Sequence, residues 1–312
     1  MTIFDIFTNQ LLNGIVLGSF YALVALGYTM VFGVVKLLNF AHGELYMVGG
    51  FAGFLVLSFL APFIGAGWFG VAVSMVFAMI AIGFLGVVIE RVAYAPMLSA
   101  PRLSILITAL AVSLVLQNGM LALTKGQYVP FGSALGFGGI NLGKLFISYN
   151  QMILVSVAAL LMLALEMFVS RTQYGRAMRA VAVDKDMSRL MGINVNAVIA
   201  VTFFLGSALA AAAGTMAGAF YGSLWYFMGF LIGLKAFTAA VIGGIGSIPG
   251  AMLGGLILGL LESFATQLDL RGMGIPFKVG SEWKDVFSFS VLILILVFKP
   301  TGLLGKSEQE RM

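Results

Sequence analysis

The chain has 312 residues, of which 61% are hydrophobic and 9% charged, with 40 glycines and no cysteine. An average soluble domain is roughly 25% charged, so this chain lacks the polar surface to cover a core in water and belongs in lipid, where glycine is also more frequent. The missing cysteines exclude disulfides, thiol nucleophiles and cysteine-based metal sites, and the net charge of +5 reads as basic loops facing a cytoplasm, with no nucleic acid as partner.

The first ten residues hold Asp5 but no Lys or Arg, so they lack the basic start of a cleaved signal peptide. Ile3, Phe4, Ile6 and Phe7 read instead as a short interfacial lead into the first span. Crossing a bilayer takes about 20 mostly apolar residues. With charges and turn clusters as punctuation, spans fall near 11–35, 45–63, 67–89, 103–124, 149–170, 197–222, 227–244, 250–268 and 285–300. The expected fold class is all-α: a polytopic transmembrane helical bundle of about 8–10 spans, in one permease domain over 1–312. Two segments, 45–63 and 227–244, are short or glycine-rich and are candidates for broken or re-entrant helices.

Lys and Arg collect on cytoplasmic loops. Arg91, Arg102, Arg171, Arg176, Arg179, Lys185, Arg189, Lys299, Lys306 and Arg311 outnumber Lys125, Lys144, Arg271, Lys278 and Lys284, which places the 171–196 loop and the C-terminus in the cytoplasm and the N-terminus outside. Small residues recur at helical spacing in Gly206, Ala210, Gly214, Gly218 and Gly222, in Gly246, Gly250 and Gly254, and in Gly14 with Gly18. In lipid such ridges let helix backbones approach closely.

Three polar features interrupt this background. The first is Leu38-Asn39-Phe40-Ala41-His42-Gly43-Glu44-Leu45, with the one histidine of the chain. Asn39 is a candidate helix cap with His42 and Glu44 at the interface; the alternative is that all three touch solute or gate, since ionisable groups at membrane depth default to functional hypotheses. One His and one Glu without further ligands do not make a metal site. The second is Gly233-Leu234-Lys235-Ala236-Phe237-Thr238, followed by a turn from Gly243 and Gly244 to Pro249 and Gly250, which no single regular helix can span. Lys235 has three readings: snorkelling to an interface, pairing with Glu262, or holding an anionic solute group. Residues 27–53 and 229–255 are glycine-rich stretches interrupted in corresponding places of the two halves, a pointer to an inverted repeat and a central site.

The third feature is the long loop after 170. Its first part has good helix formers; Asp184 or Asp186 then suits the cap of a second short helix that stops at Gly192. Met187, Leu190 and Met191 fall on one face of that helix. An exposed apolar face outside the bilayer suits docking in a partner's groove; the alternative is a loop that only fixes topology. No G-x-x-x-x-G-K-[ST] loop is present, and no catalytic constellation or cofactor site is discernible, so the chain reads as a non-enzyme.

Asn13-Gly14-Ile15-Val16-Leu17-Gly18-Ser19-Phe20-Tyr21-Ala22-Leu23, Gly27-Tyr28-Thr29-Met30 and Asn39-Phe40-Ala41-His42-Gly43-Glu44 resemble the LivH-type permeases of branched-chain amino acid ABC importers. So do Gly175-Arg176-Ala177-Met178-Arg179-Ala180, Met191-Gly192-Ile193-Asn194 and the run from Lys235 to Ala251. The likeness covers nearly the whole chain, although 267–284 is longer and more polar than the family pattern. The resemblance implies a subunit of the bacterial inner membrane that imports branched-chain or other neutral amino acids by alternating access. Its implied partners are a LivM-type second permease, two ATP-binding subunits and a periplasmic binding protein. It also implies that Arg176, Arg179, Asp184, Asp186, Met187, Arg189, Leu190 and Gly192 belong to the element that couples to the ATPases. Candidates for the pathway and gate are Asn39, His42, Glu44, Lys235, Thr238, Gly243, Gly244, Pro249 and Glu262. Other family solutes include urea and short amides. Two further readings stay open: a passive small-solute channel, since Asn39-Phe40-Ala41 is faintly similar to the Asn-Pro-Ala turns of water channels, and an ion-coupled secondary transporter using Glu262.

Overall fold

The computed structural model describes residues 3–97, 100–132, 135, 136, 138–142, 145–266 and 283–305. The polar stretch 267–282, with Arg271 and Lys278, lies outside the described residues, as do Lys144, Lys306 and Arg311. Each expected span is a helix: α1 (Ile3–Val35), α2 (His42–Ile64), α3 (Trp68–Ile89), α4 (Arg102–Thr124), α5 (Tyr149–Arg171), α8 (Val195–Tyr221), α9 (Met228–Gly243), α10 (Ile248–Ala265) and α11 (Lys284–Phe298). Helix α3 runs on through a π turn, Glu90–Tyr94, and a 3-10 turn, Ala95–Met97. Two short helices, α6 (Gln173–Val183) and α7 (Lys185–Leu190), fill the long loop. Among the described residues, seven helices are long and apolar enough to cross a bilayer, while α9 at 16 residues and α11 at 15 are shorter. At the end opposite α6 and α7, two ribbons add to the helices: β1 (Val129–Pro130) pairs antiparallel with β4 (Ser223–Leu224), and β2 (Gly139–Leu142) with β3 (Leu145–Ser148). They satisfy backbone groups of connections too rich in Gly and Pro for helix.

Helices α1 and α8 form the centre, with 83% and 78% of their most apolar windows buried, against 11% for α4 at the periphery. The small-residue ridges explain the contacts. Gly14, Gly18 and Ala22 of α1 cross Gly259 and Gly255 of α10 so closely that a Cβ at Gly14 would lie 2.8 Å from Leu260 Cα, and one at Gly18 would lie 2.8 Å from Leu256 Cα. On α8, Gly206 meets Gly27, Gly214 meets the backbone of α2, and Gly218 meets Phe131. Gly222 is not part of that ridge: it closes α8 in the left-handed region at φ 73°. Gly250 and Gly254 pack α10 on the end of α9, whereas Gly246 lies in the turn between them.

The expected break in 45–63 lies elsewhere. Helix α2 is continuous; the interruption precedes it, at 36–41. Gly49 meets Ala211 and Gly53 meets Thr215, so α2 runs parallel to α8 and begins opposite Phe204. That is about nine residues, or ~13 Å, inside the end of α8. Helix α9 enters from the other side: Met228 meets Gly50 while Gly233 meets Gly43, so α9 runs antiparallel to α2. The first turns of α2 and α9 therefore lie side by side inside the bundle, whereas the 243–250 interruption lies at the far end of α9. Non-helical backbone at such depth is tolerated only where surrounding protein or a cavity satisfies it.

Candidate translocation site

The start of α2 is a tight polar junction. Ala41 occupies its cap position with no side-chain cap, so Asn39 does not act as the expected cap. The Asn39 carboxamide instead accepts from the Tyr94 hydroxyl at 2.6 Å, which ties the 36–41 segment to the π turn of α3. The interfacial placement expected for His42 and Glu44 is also corrected: both side chains, like Asn39, are buried inside the bundle. His42 stands edge-on to Tyr28 at 4.9 Å between centroids and is wedged against Gly27. Ser113 of α4 donates to Glu44 Oε1 at 3.3 Å. Asn39 Nδ2, His42 Nε2 and Glu44 Oε2 have no hydrogen-bond partner among the described residues.

A cavity of about 850 Å³ lies nearer the ribbon end, between α1, α8, α9, α10 and α11. Its apolar wall includes Leu17, Phe220, Met228, Leu231 and Ile232; its polar wall holds Tyr21, Lys235, Glu262, Lys284 and Asp285. Lys235 and Glu262 do pair, Nζ donating to Oε1 at 2.8 Å. The Tyr21 hydroxyl donates to Glu262 Oε2 at 2.8 Å, and Asp285 Oδ1 lies 2.7 Å from Lys235 Nζ. Neither Tyr21, Lys284 nor Asp285 stood out in the sequence. The signal for Asp285 was a charge at the head of an apolar span, which reads equally well as a boundary; nothing marks Tyr21 among nine tyrosines.

The structure does not gather the pathway candidates in one place. Asn39, His42 and Glu44 do not line this cavity. Thr238 bonds back to the Leu234 carbonyl at 3.0 Å within α9. Gly243, Gly244 and Pro249 sit at the opposite end of α9, in its turn to α10. There the chain after α11 returns: Leu303 N–H donates to Ile242 O at 2.8 Å and Leu304 N–H to Gly243 O at 2.9 Å, satisfying the last carbonyls of α9.

The α6–α7 loop has the expected two helices. Thr172 caps α6, accepting from Gly175 N–H at 3.1 Å. Asp184, not Asp186, caps α7, accepting from the N–H groups of Asp186 at 2.9 Å and Met187 at 3.0 Å. Gly192 stops the segment at φ 83°. Met187, Leu190 and Met191 are 61%, 80% and 82% exposed, an apolar face without cover. Arg176 is exposed, Arg179 donates to the Val169 carbonyl, and Arg189 forms a loose exposed pair with Asp186 at 3.5 Å. Lys185 Nζ donates to Val35 O, the last carbonyl of α1, at 3.2 Å. Partial burial, and then the charge of Arg189, hold the Lys185 pKa below its ordinary value against the opposing pull of Asp186.

Among the described residues, seven bilayer-length apolar helices, two helices that begin inside the bundle and a charged cavity define a multi-pass membrane permease. The family model described as branched-chain amino acid transport system / permease component matches residues 10–296, and the chain belongs to that family. It is 44% identical to the high-affinity branched-chain amino acid transport system permease protein LivH of Escherichia coli K12, over 98% of both chains. It is also 44% identical to BraD, the corresponding high-affinity permease protein of Pseudomonas aeruginosa, again over 98% of both. PsaBC from Streptococcus pneumoniae, solved in complex with Fab, aligns with 93% of this chain and 91% of its own at 14% identity and a TM-score of 0.46. That likeness bears on neither mechanism nor substrate. Family membership displaces the passive-channel and ion-coupled readings.

Proposed function

We propose that this chain is one permease subunit of an ATP-driven importer that moves branched-chain amino acids inward by alternating access. The observation that carries the coupling half of this reading is α7: a capped helix outside the apolar spans, with Met187, Leu190 and Met191 uncovered and Lys185 fastened to the end of α1. Such a face suits the groove of an ATPase subunit. Movement of α7 would pull on Val35 and on the 36–41 segment that leads to the buried start of α2. The solute class is supported by the names of the 44%-identical relatives over nearly their full length. On this reading the partners are a LivM-type second permease, two ATP-binding subunits that carry out ATP hydrolysis, and a periplasmic binding protein. The complex sits in the bacterial inner membrane with α6, α7 and the C-terminus cytoplasmic, and the chain needs no cofactor of its own.

The test is ATP-dependent uptake of leucine, isoleucine and valine into vesicles holding the assembled system, with urea and acetamide as competitors. Leu190→Asp should lower uptake at least tenfold and weaken co-purification of the ATP-binding subunits, leaving the permease folded. Unchanged uptake in that variant would remove α7 from the coupling path. Inhibition by urea or acetamide, but not by valine, would move the solute to the amide branch of the family.

A further inference from the structure

The cavity beside Lys235 sets charges of both signs against an apolar wall. Glu262 is fully engaged: Oε1 takes the Lys235 ammonium and Oε2 the Tyr21 hydroxyl. Its side chain is 3% exposed, so it is a fixed counter-charge. Asp285 differs. It shares Lys235 with Glu262 and its side chain is 41% exposed at the cavity. Lys235 is held by the buried Glu262, so the part-exposed Asp285 carboxylate keeps capacity for a second cationic partner. Lys284, the next residue along, also lines the cavity and has no ion-pair partner among the described residues. The first turn of α11 thus offers an open carboxylate and an open ammonium side by side. Leu17, Met228, Leu231 and Ile232 face the same space.

We infer that this cavity is a binding site for an aliphatic amino acid in zwitterionic form. The solute ammonium sits on the Asp285 carboxylate, its carboxylate on the Lys284 ammonium, and its side chain against Leu17, Met228, Leu231 and Ile232. Ligand sites with a mostly apolar lining and a few placed polar groups commonly measure about 300–1,000 Å³, and about 850 Å³ holds such a solute with some of its water. The inference rests on the amino acid reading above and adds where, within this one subunit, the solute is held.

The experiment is direct binding to the purified full-length chain in lipid nanodiscs, with three probes of one shape: L-leucine, 3-methylbutylamine and 4-methylpentanoate. Leucine should bind, and both Asp285→Asn and Lys284→Gln should weaken it at least tenfold. The amine alone should be sensitive to Asp285→Asn and the carboxylate alone to Lys284→Gln. Leu231→Trp fills the cavity from a side chain already 42% exposed, so it keeps the fold and should lower leucine binding by a similar factor. Leucine binding unchanged in all three variants overturns the site. So does absence of binding to the wild-type chain while the assembled system still imports leucine; the permease reading then survives. Binding with the expected variant pattern, but no leucine import by the assembled system, upholds the site and sinks the transport reading.

Discussion

Two of the places where the molecule buries charged or strongly polar groups are built on different plans. At the start of α2, His42 packs against Gly27 and Glu44 against Gly229, while Asn39 and Glu44 have neutral partners in Tyr94 and Ser113. Around Lys235, one ammonium is shared by two carboxylates, Glu262 and Asp285, and the group faces a cavity. The first arrangement ties α2 to α3 and α4 through one oxygen each of Asn39 and Glu44, and leaves Asn39 Nδ2, His42 Nε2 and Glu44 Oε2 without partners among the described residues. The second sets its open groups, on Lys284 and Asp285, beside a void. Histidine, asparagine and glutamate within one short segment attract attention in a sequence, yet their surroundings are those of a joint. The ordinary Lys and Asp at the head of α11 have the surroundings of a binding site.

Substitutions can break this contrast, and the largest effect is expected at Lys235. Lys235→Met leaves Glu262 buried without its counter-charge and should cost about 3–5 kcal/mol, read as a lowered unfolding temperature in detergent. Replacing Glu262 by Met as well should recover much of that loss, the signature of a paired charge. Next comes Gly43→Val, whose side chain would run into the Gly229 carbonyl and Gly233. Overpacking there should cost about 1–3 kcal/mol, measured the same way, with no change in leucine affinity of the protein that still folds. Tyr94→Phe leaves Asn39 Oδ1 without its donor and should cost about 1–2 kcal/mol. If that variant instead abolished leucine binding while preserving stability, the α2 junction would be a solute site and the contrast would fail. The smallest stability effect belongs to Leu190→Asp, within about 0.5 kcal/mol, because its side chain touches solvent.

Much of this was legible from local chemistry. Helix limits follow from charges and from Gly and Pro clusters, and Gly192 stops its helix as its position suggested. The two interrupted segments were visible as composition, and they do meet. What escaped depends on contacts across the chain. Asn39 reads as a cap because nothing local announces that a π turn far along the sequence will present Tyr94 to it. Gly255 and Gly259 gain meaning only when α10 lies across Gly14 and Gly18. Tyr21 and Glu262 are 241 residues apart and look unremarked until the fold joins them. The interfacial reading of His42 failed for the same reason: a residue seven positions beyond the end of α1 would lie at a surface unless the chain turned back inward.

The return of Leu303 and Leu304 to the end of α9 also orders events during synthesis. Helix α9 leaves the ribosome before α10 and α11, yet two of its last carbonyls find their donors only after α11 has been made. The α9–α10 hairpin must therefore wait in the bilayer unfinished, and the final turn of chain locks it from the side where the loop helices lie. A nascent chain arrested just before Leu303 should hold every span in place and still exchange the amides around Gly243 and Gly244 as an open end.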